Sequence, residues 1–417
     1  MHGRWYKIRA EISRVSEGMY FFMLILLTLY SILTMVCLDV AWENIGEAVP
    51  AVHFLIMKFI IEPQQVLLVL VVIRYAFSEN YNWKELLAAV VIYACASHAV
   101  KVNHFADILT VTLFMLGARE ISFKKIVKAY VMVAATVVFF VVAASQIGWI
   151  ENLVYRPPGR NLRMAFGFTY PTRFAAHIYY LILWYWYLRD EKFTYVETVI
   201  PVCAGIFLWI FCEARLSSIS LVLLALAMAY SIFQRKKALK LQAEYRMHPY
   251  VAQLLSISAV CLAFLILLLT FIYSPDRPIL EWLNDVISNR LYLGKKAMEI
   301  FGFQIWGTWI RLAGNGGYLT GNSRYFYIDS VFLQFGIQYG LVMMTIFLAL
   351  FNWIGTRAKK QKKWVLLWIL LFAGIHGMFE PHMISISYSP LIFAAFADLQ
   401  KETVGRAGFK KKRKNKT

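Results

Sequence analysis

The residues with the clearest chemical potential are four arginines that lie between long apolar segments: Arg163, Arg215, Arg290 and Arg324. A guanidinium group stays ionised and presents a planar fork of donors that fits phosphate oxygens. As a set, these arginines predict a binding site for a phosphate or diphosphate group. For any single one of them, binding to an ordinary lipid headgroup is the simpler interpretation.

Two carboxylates are candidates for proton transfer. Asp329 follows a long polar segment and begins an apolar one, so it can cap a helix or act as a general base that faces a cavity. Glu380 is the second candidate for the base. It lies four residues after His376, on the same face of a helix, but a metal site needs a third ligand that the spacing does not offer. We therefore expect a hydrogen-bonded His376 and Glu380 pair and no metal.

The composition is that of an integral membrane protein, since 60% of the 417 residues are hydrophobic and 16% are charged. A helix of about 20 apolar residues crosses the hydrocarbon layer of a bilayer. The apolar runs predict an all-α, polytopic protein with about 12 transmembrane helices in a single integral membrane domain, residues 1–417. The expected spans are 18–38, 53–77, 86–100, 105–118, 127–149, 174–188, 194–213, 216–233, 251–273, 329–353, 364–379 and 383–398. Without the short third and fourth runs, ten spans remain.

The positive charges predict the orientation. With the N-terminus inside, the cytoplasmic segments hold well over half of the 43 Lys and Arg residues, as positive residues near span ends are retained in the cytoplasm. Both termini are therefore expected on the cytoplasmic side of a cell membrane. The basic tail, 400–417, is expected to contact anionic lipid, and a nucleic-acid partner is not expected.

One outward connection, residues 274–328, is expected to be a large extracytoplasmic loop. It contains two helix-like pieces, 279–287 and 291–301, and a Gly/Asn-rich stretch, 314–322. Long loops in compact proteins are usually functional. Arginines recur in this loop and in the outward segment 151–173, against the bias that keeps positive residues inside, and this indicates an anionic ligand at the outer surface.

Residues 212–218, Cys-Glu-Ala-Arg-Leu-Ser-Ser, join two apolar runs with almost no loop. Ionisable residues at membrane depth usually serve a function, which makes Arg215 a candidate ligand for the anion. In the alternative interpretation, Glu213 and Arg215 form an interfacial ion pair that only caps the hairpin.

Several segments resemble the Wzy-type polysaccharide polymerases and O-antigen ligases, a superfamily of bacterial membrane glycosyltransferases. Residues 163–172, Arg-Met-Ala-Phe-Gly-Phe-Thr-Tyr-Pro-Thr, are similar to its Arg-x-Ser-x-Gly-Phe-x-His-Pro-Asn element, with Ala165, Tyr170 and Thr172 as departures. Segments 213–217, 283–291 and 329–341 resemble its Ser-Arg turn and the two boundaries of its large external loop. The resemblance covers roughly the second two thirds of the chain and depends on the order and placement of these segments.

The resemblance implies a C-type glycosyltransferase (GT-C) architecture and a polymerase that joins undecaprenyl-diphosphate-linked oligosaccharide repeats on the outer face of the cytoplasmic membrane. Arg163, Arg215, Arg290 and Arg324 then bind the diphosphate, and Asp329, or Glu380, takes the proton of the attacking hydroxyl. No cofactor is implied, and a flippase and a chain-length regulator are the implied protein partners.

Two alternatives remain open. Ligases of this superfamily typically carry His where this chain has Asp329, which favours the polymerase but leaves transfer to a different acceptor possible. A flippase of lipid-linked oligosaccharides is the third hypothesis. Transporters of similar size are usually built from two similar halves, which the hydropathy pattern of this chain does not show.

Overall fold

The computed structural model describes residues 2–37, 59–60, 62–78, 82–156, 161–312 and 326–400, and most of these residues are helical. The α-helices are α1 His2–Leu33, α2 Pro63–Ala76, α3 Trp83–Asn103, α4 Asp107–Gly117, α5 Phe123–Gln146, α6 Pro171–Arg189, α7 Val199–Phe207, α8 Arg215–Lys240, α9 Pro249–Ser256, α10 Ser258–Ile272, α11 Pro278–Val286, α12 Arg290–Phe301, α13 Val331–Gln334, α14 Leu341–Lys360 and α15 Trp364–Gly377. Two short strands, β1 Val154–Tyr155 and β2 Arg163–Met164, pair antiparallel.

Five helices of the described ranges are long and apolar enough to cross a membrane: α1, α3, α5, α8 and α14. Helices α9 and α10 form a sixth span if the pair, which is bent by 57°, counts as one. Shorter apolar helices pack between them, namely α2, α4, the segment Val196–Cys212 and α15. The chain is thus a mostly helical protein whose apolar helices are compatible with a multi-pass membrane protein, and the number of 10 to 12 spans stays a prediction.

Several expected spans are interrupted or short in the structure. The expected span 194–213 is divided into a 3-10 turn, α7 and a π-helical turn, and the expected span 329–353 into α13, a π-helical turn and α14. Helix α4 has 11 residues, roughly 16 Å, which is about half of the hydrocarbon thickness. Segment 383–398 contains turns and a 3-10 helix, Leu391–Ala395, in place of a long helix. Pro390 immediately precedes that 3-10 helix, and proline cannot donate a backbone hydrogen bond.

Buried irregular backbone of this kind needs internal hydrogen-bond partners, and segment 383–398 has them. Arg357 donates to the carbonyl oxygens of Ala394 and Ala395, both at 2.7 Å, and to that of Ala397 at 2.9 Å. Tyr130 donates to the Ser387 carbonyl at 3.2 Å. Irregular backbone in apolar surroundings is tolerated where protein groups satisfy its hydrogen bonds, as they do here.

The long connection 274–328 contains the two expected helices, seen as α11 and α12, with boundaries within about one residue of the sequence pattern. Its Gly/Asn-rich stretch lies outside the described residues, as do Arg324 and nearly all of the basic tail. Close packing places α12 against α13, because a Cβ atom on Gly294 of α12 would lie 2.7 Å from the Leu333 side chain. The long connection therefore packs on the helix bundle through the first turns of α12, the helix that Arg290 begins.

Candidate functional site

A cavity of about 810 Å³ brings together five of the six site residues predicted from the sequence: Arg163, Arg215, Arg290, Asp329 and Glu380. Its wall also contains residues from the first turns of three helices: Thr172 of α6, Arg215 of α8 and Arg290 of α12. A helix N-terminus presents unpaired N–H groups and the positive end of the helix dipole. The cavity thus combines arginine side chains with the positive ends of three helix dipoles, which favour an anion.

Arg290 lies between the two candidate bases. Its Nη2 donates to Glu380 Oε1 at 2.6 Å, and its Nε lies 3.7 Å from Asp329 Oδ2. The side chains of Arg290, Asp329 and Glu380 are 15%, 14% and 8% exposed. At this burial an ion pair is screened far less than one on the surface, so each carboxylate strongly influences the other two groups.

The backbone before Arg290 fixes its position. Ser288 and Asn289 both have positive φ, at 62° and 63°, and turn the chain sharply between α11 and α12. The Asn284 side chain stabilises this turn, since its Nδ2 donates to Asn289 Oδ1 at 3.0 Å and its Oδ1 accepts from Tyr292 N at 3.1 Å. Asparagine tolerates the left-handed region, which explains its use at this position.

Arg215 begins α8 directly after an interrupted helix. Residues Leu208–Cys212 form a π-helical turn, and Glu213 follows in the left-handed region at φ 47°. Arg215 Nη2 donates to Glu213 Oε1 at 2.8 Å, while the Arg215 side chain is 43% exposed and lines the cavity. The expected ion pair is therefore present, and the arginine remains accessible to a ligand.

Arg163 lies in the cavity wall but is mostly occupied by protein groups. Its Nε donates to the Cys212 carbonyl at 3.0 Å, and its Nη1 donates to the Tyr170 hydroxyl at 3.2 Å. The guanidinium also lies over the Tyr170 ring, 5.2 Å from the ring centre. Because helix ends leave carbonyl groups without intrahelical partners, Arg163 stabilises the Leu208–Cys212 turn and thereby the position of Arg215.

Asp329 does not cap the helix that follows it. Ser330 is the N-cap of α13, and its hydroxyl accepts from Leu333 N. The Asp329 carboxylate instead lines the cavity beside Arg290. Burial, together with the charge of Asp329, raises the pKa of the Tyr327 hydroxyl to about 12, so this neighbour of the candidate base stays protonated.

The structure differs from the expected pairing of His376 with Glu380. Helix α15 ends at Gly377, so Glu380 lies beyond it and pairs with Arg290, while its Oε2 lies 3.5 Å from His382 Nε2. The imidazole of His376 instead contacts Ser217 Oγ at 3.3 Å.

Sequence reasoning missed Ser217 and His382 as members of this site. Ser217 lies two residues after Arg215, and His382 lies two residues after Glu380. This closeness to predicted site residues was the one indication in the sequence that they belong to the site. Ser217 lines the cavity in the first turn of α8, and His382 stacks on Tyr388 with ring centres 4.0 Å apart.

A strained turn connects the cavity wall to α1 and α5. Phe166 and Gly167 have φ of 52° and 87°, and the Gly167 carbonyl accepts from Cys37 N at 2.9 Å. A Cβ atom on Gly167 would lie 2.9 Å from a Val141 methyl group. This turn sets the spacing between Arg163 on β2 and Tyr170 before α6.

We expect Gly167→Ala to destabilise the protein more than Gly148→Ala does. Gly148 also has positive φ, at 78°, but has open space around its Cβ position. The conformational cost of a non-glycine residue in the left-handed region is about 1–2 kcal/mol and applies to both variants, whereas only Gly167→Ala adds a steric clash. Thermal unfolding in detergent checks this, and equal melting temperatures would contradict the predicted clash.

Among the described residues, no group of three or more His, Cys, Asp or Glu side chains is arranged to hold a metal ion. Comparisons of the chain with protein-family models, curated proteins and solved structures found no match.

Proposed function

We propose that this chain is a bacterial membrane glycosyltransferase that polymerises oligosaccharide repeats carried on undecaprenyl diphosphate. One observation carries the proposal: a single cavity holds Arg163, Arg215, Arg290, Asp329 and Glu380, which come from distant parts of the chain. Arginines and helix N-termini suit a diphosphate, and a neighbouring carboxylate suits proton transfer from a sugar hydroxyl.

In the proposed reaction, a hydroxyl at the non-reducing end of a new lipid-linked repeat attacks the anomeric carbon of the growing chain. The new C–O glycosidic bond forms as the bond from the anomeric carbon to the diphosphate oxygen breaks. Undecaprenyl diphosphate leaves with the bonding electron pair, and Asp329 accepts the hydroxyl proton. Arg215 and Arg290 stabilise the negative charge that develops on the leaving diphosphate.

The proposal places the cavity on the outer face of the cytoplasmic membrane and both termini in the cytoplasm, in a GT-C-like bundle of 10 to 12 spans. The apolar helices support an integral membrane protein, and the distribution of Lys and Arg supports this orientation. The lining of the cavity supports a position on the outer face, because α11 and α12 of the long outer connection contribute Asp285 and Arg290 to the cavity wall.

Purified protein supplied with lipid-linked repeats tests the proposed activity. We expect a ladder of chain lengths without added nucleotide sugar, because the diphosphate-linked chain already contains the activated anomeric carbon. Transfer of glycan to another acceptor without a ladder would indicate a ligase. Movement of the lipid-linked sugar across vesicles, with no new glycosidic bond, would contradict the proposal and favour a transporter.

A further inference from the structure

The charged groups that line the cavity balance each other. Four arginines, at positions 156, 163, 215 and 290, face four carboxylates, at positions 213, 285, 329 and 380. A diphosphate adds roughly two further negative charges. Because like charges in a partly buried site repel, a diphosphate cannot lie against Arg290 while Glu380 stays at 2.6 Å from the same guanidinium without a large electrostatic cost.

Glu380 has an alternative partner within reach. Its Oε1 accepts from Arg290, while its Oε2 lies 3.5 Å from His382 Nε2. That imidazole nitrogen is buried and makes no hydrogen bond to any of the described residues. Stacking on Tyr388 fixes the ring at a centre-to-centre distance of 4.0 Å. A small rotation of the carboxylate is enough to exchange a bond to Arg290 for a hydrogen bond to His382.

We propose that Glu380 pairs with Arg290 until a diphosphate binds and then moves to His382. The proposal rests on the proposed function, because it takes a diphosphate as the ligand of Arg290. Before the ligand binds, Glu380 and Asp329 together compensate the charge of a buried arginine. Binding of the ligand then releases the carboxylate beside the reacting sugar. Glu380 and the ligand compete for one guanidinium, and His382 stabilises the displaced carboxylate.

Binding of inorganic pyrophosphate to the full-length protein in detergent, measured by calorimetry at fixed ionic strength, tests the exchange. We expect Glu380→Gln to bind pyrophosphate about tenfold more tightly than the unmodified protein, a typical size for coupling between two binding events. Asp285→Asn is the matched control, since it removes a charge from the same cavity wall but not from Arg290. Asp285→Asn should increase the affinity for pyrophosphate much less than Glu380→Gln does.

His382→Phe completes the test, because phenylalanine retains the stacking on Tyr388 but cannot hydrogen-bond to a displaced carboxylate. We expect weaker pyrophosphate binding in His382→Phe and no further effect of this change when Glu380→Gln is also present. A loss of affinity that disappears when Glu380 is absent shows that His382 acts on binding through the Glu380 carboxylate. A single cooperative thermal unfolding transition checks that each variant is folded.

Equal affinity of the unmodified protein and Glu380→Gln would overturn the exchange and leave the diphosphate site standing. An equal gain in Glu380→Gln and Asp285→Asn would also overturn it, because general electrostatics then explains both changes. If neither the unmodified protein nor any folded variant binds pyrophosphate, the proposed diphosphate site fails and the exchange fails with it.

Discussion

Arg290→Lys is expected to reduce chain growth about 100-fold to 1,000-fold, the loss typical when one preorganised donor to a developing negative charge is removed. Lysine keeps the positive charge but has no planar fork. Arg290 directs two nitrogens to different partners, Nη2 to Glu380 and Nε towards Asp329, and a single ammonium group cannot reproduce both directions. The measurement is the rate of ladder formation by purified protein supplied with lipid-linked repeats.

Arg277→Lys is the control for this prediction. Arg277 lies in the same long connection, directly before α11, and it is exposed and absent from the cavity wall. We expect its rate to match that of the unmodified protein. A normal product ladder from folded Arg290→Lys would show that this arginine only anchors lipid headgroups.

Asp329→Asn is expected to slow polymerisation about 100-fold to 10,000-fold, the range for loss of a general base, while donor binding is retained. Asparagine keeps the size and the hydrogen-bonding oxygen of the side chain but cannot accept a proton at neutral pH. The fold should tolerate the change, because the cap of α13 is supplied by Ser330. Cells that carry this variant should accumulate single lipid-linked repeats at normal protein levels.

Asp276→Asn provides the comparison for Asp329→Asn. Asp276 is exposed, accepts from Ser274 Oγ at 3.1 Å and lies outside the cavity wall. Chain lengths should be unchanged in this variant. If Asp329→Asn also gives normal chain lengths, Asp329 is not the base, and the same assay on Glu380→Gln then decides whether Glu380 has that role.

The sequence was sufficient to select residues that meet in space, for a physical reason. Arginines and carboxylates at the ends of apolar segments are held near one face of a membrane, so candidates assigned to the same side tend to be neighbours. The helices α11 and α12 were also recognisable from their apolar periodicity. The helices depend on a pattern that is local in the chain, and the grouping of the charged residues depends only on the side of the membrane to which they are assigned.

The contact that each charged side chain makes in the cavity was not predictable from the sequence. The Glu380 carboxylate pairs with Arg290, 90 positions away, and not with the His376 imidazole, four positions away, because α15 ends before Glu380. Propensity also gives no indication that Phe166 adopts a positive φ or that 383–398 lacks a long helix. Each of these depends on tertiary packing and on hydrogen bonds from distant residues, such as those from Arg357.

The irregular segment 383–398 has a consequence for biogenesis. A transmembrane helix satisfies its own backbone and can leave the translocon for lipid alone, whereas this segment has carbonyl groups that depend on Arg357 and Tyr130. We therefore expect this segment to pack only after α5 and α14 have assembled. Glu380 lies just before this segment, so we expect the cavity to gain its full set of charged groups only when the segment has packed.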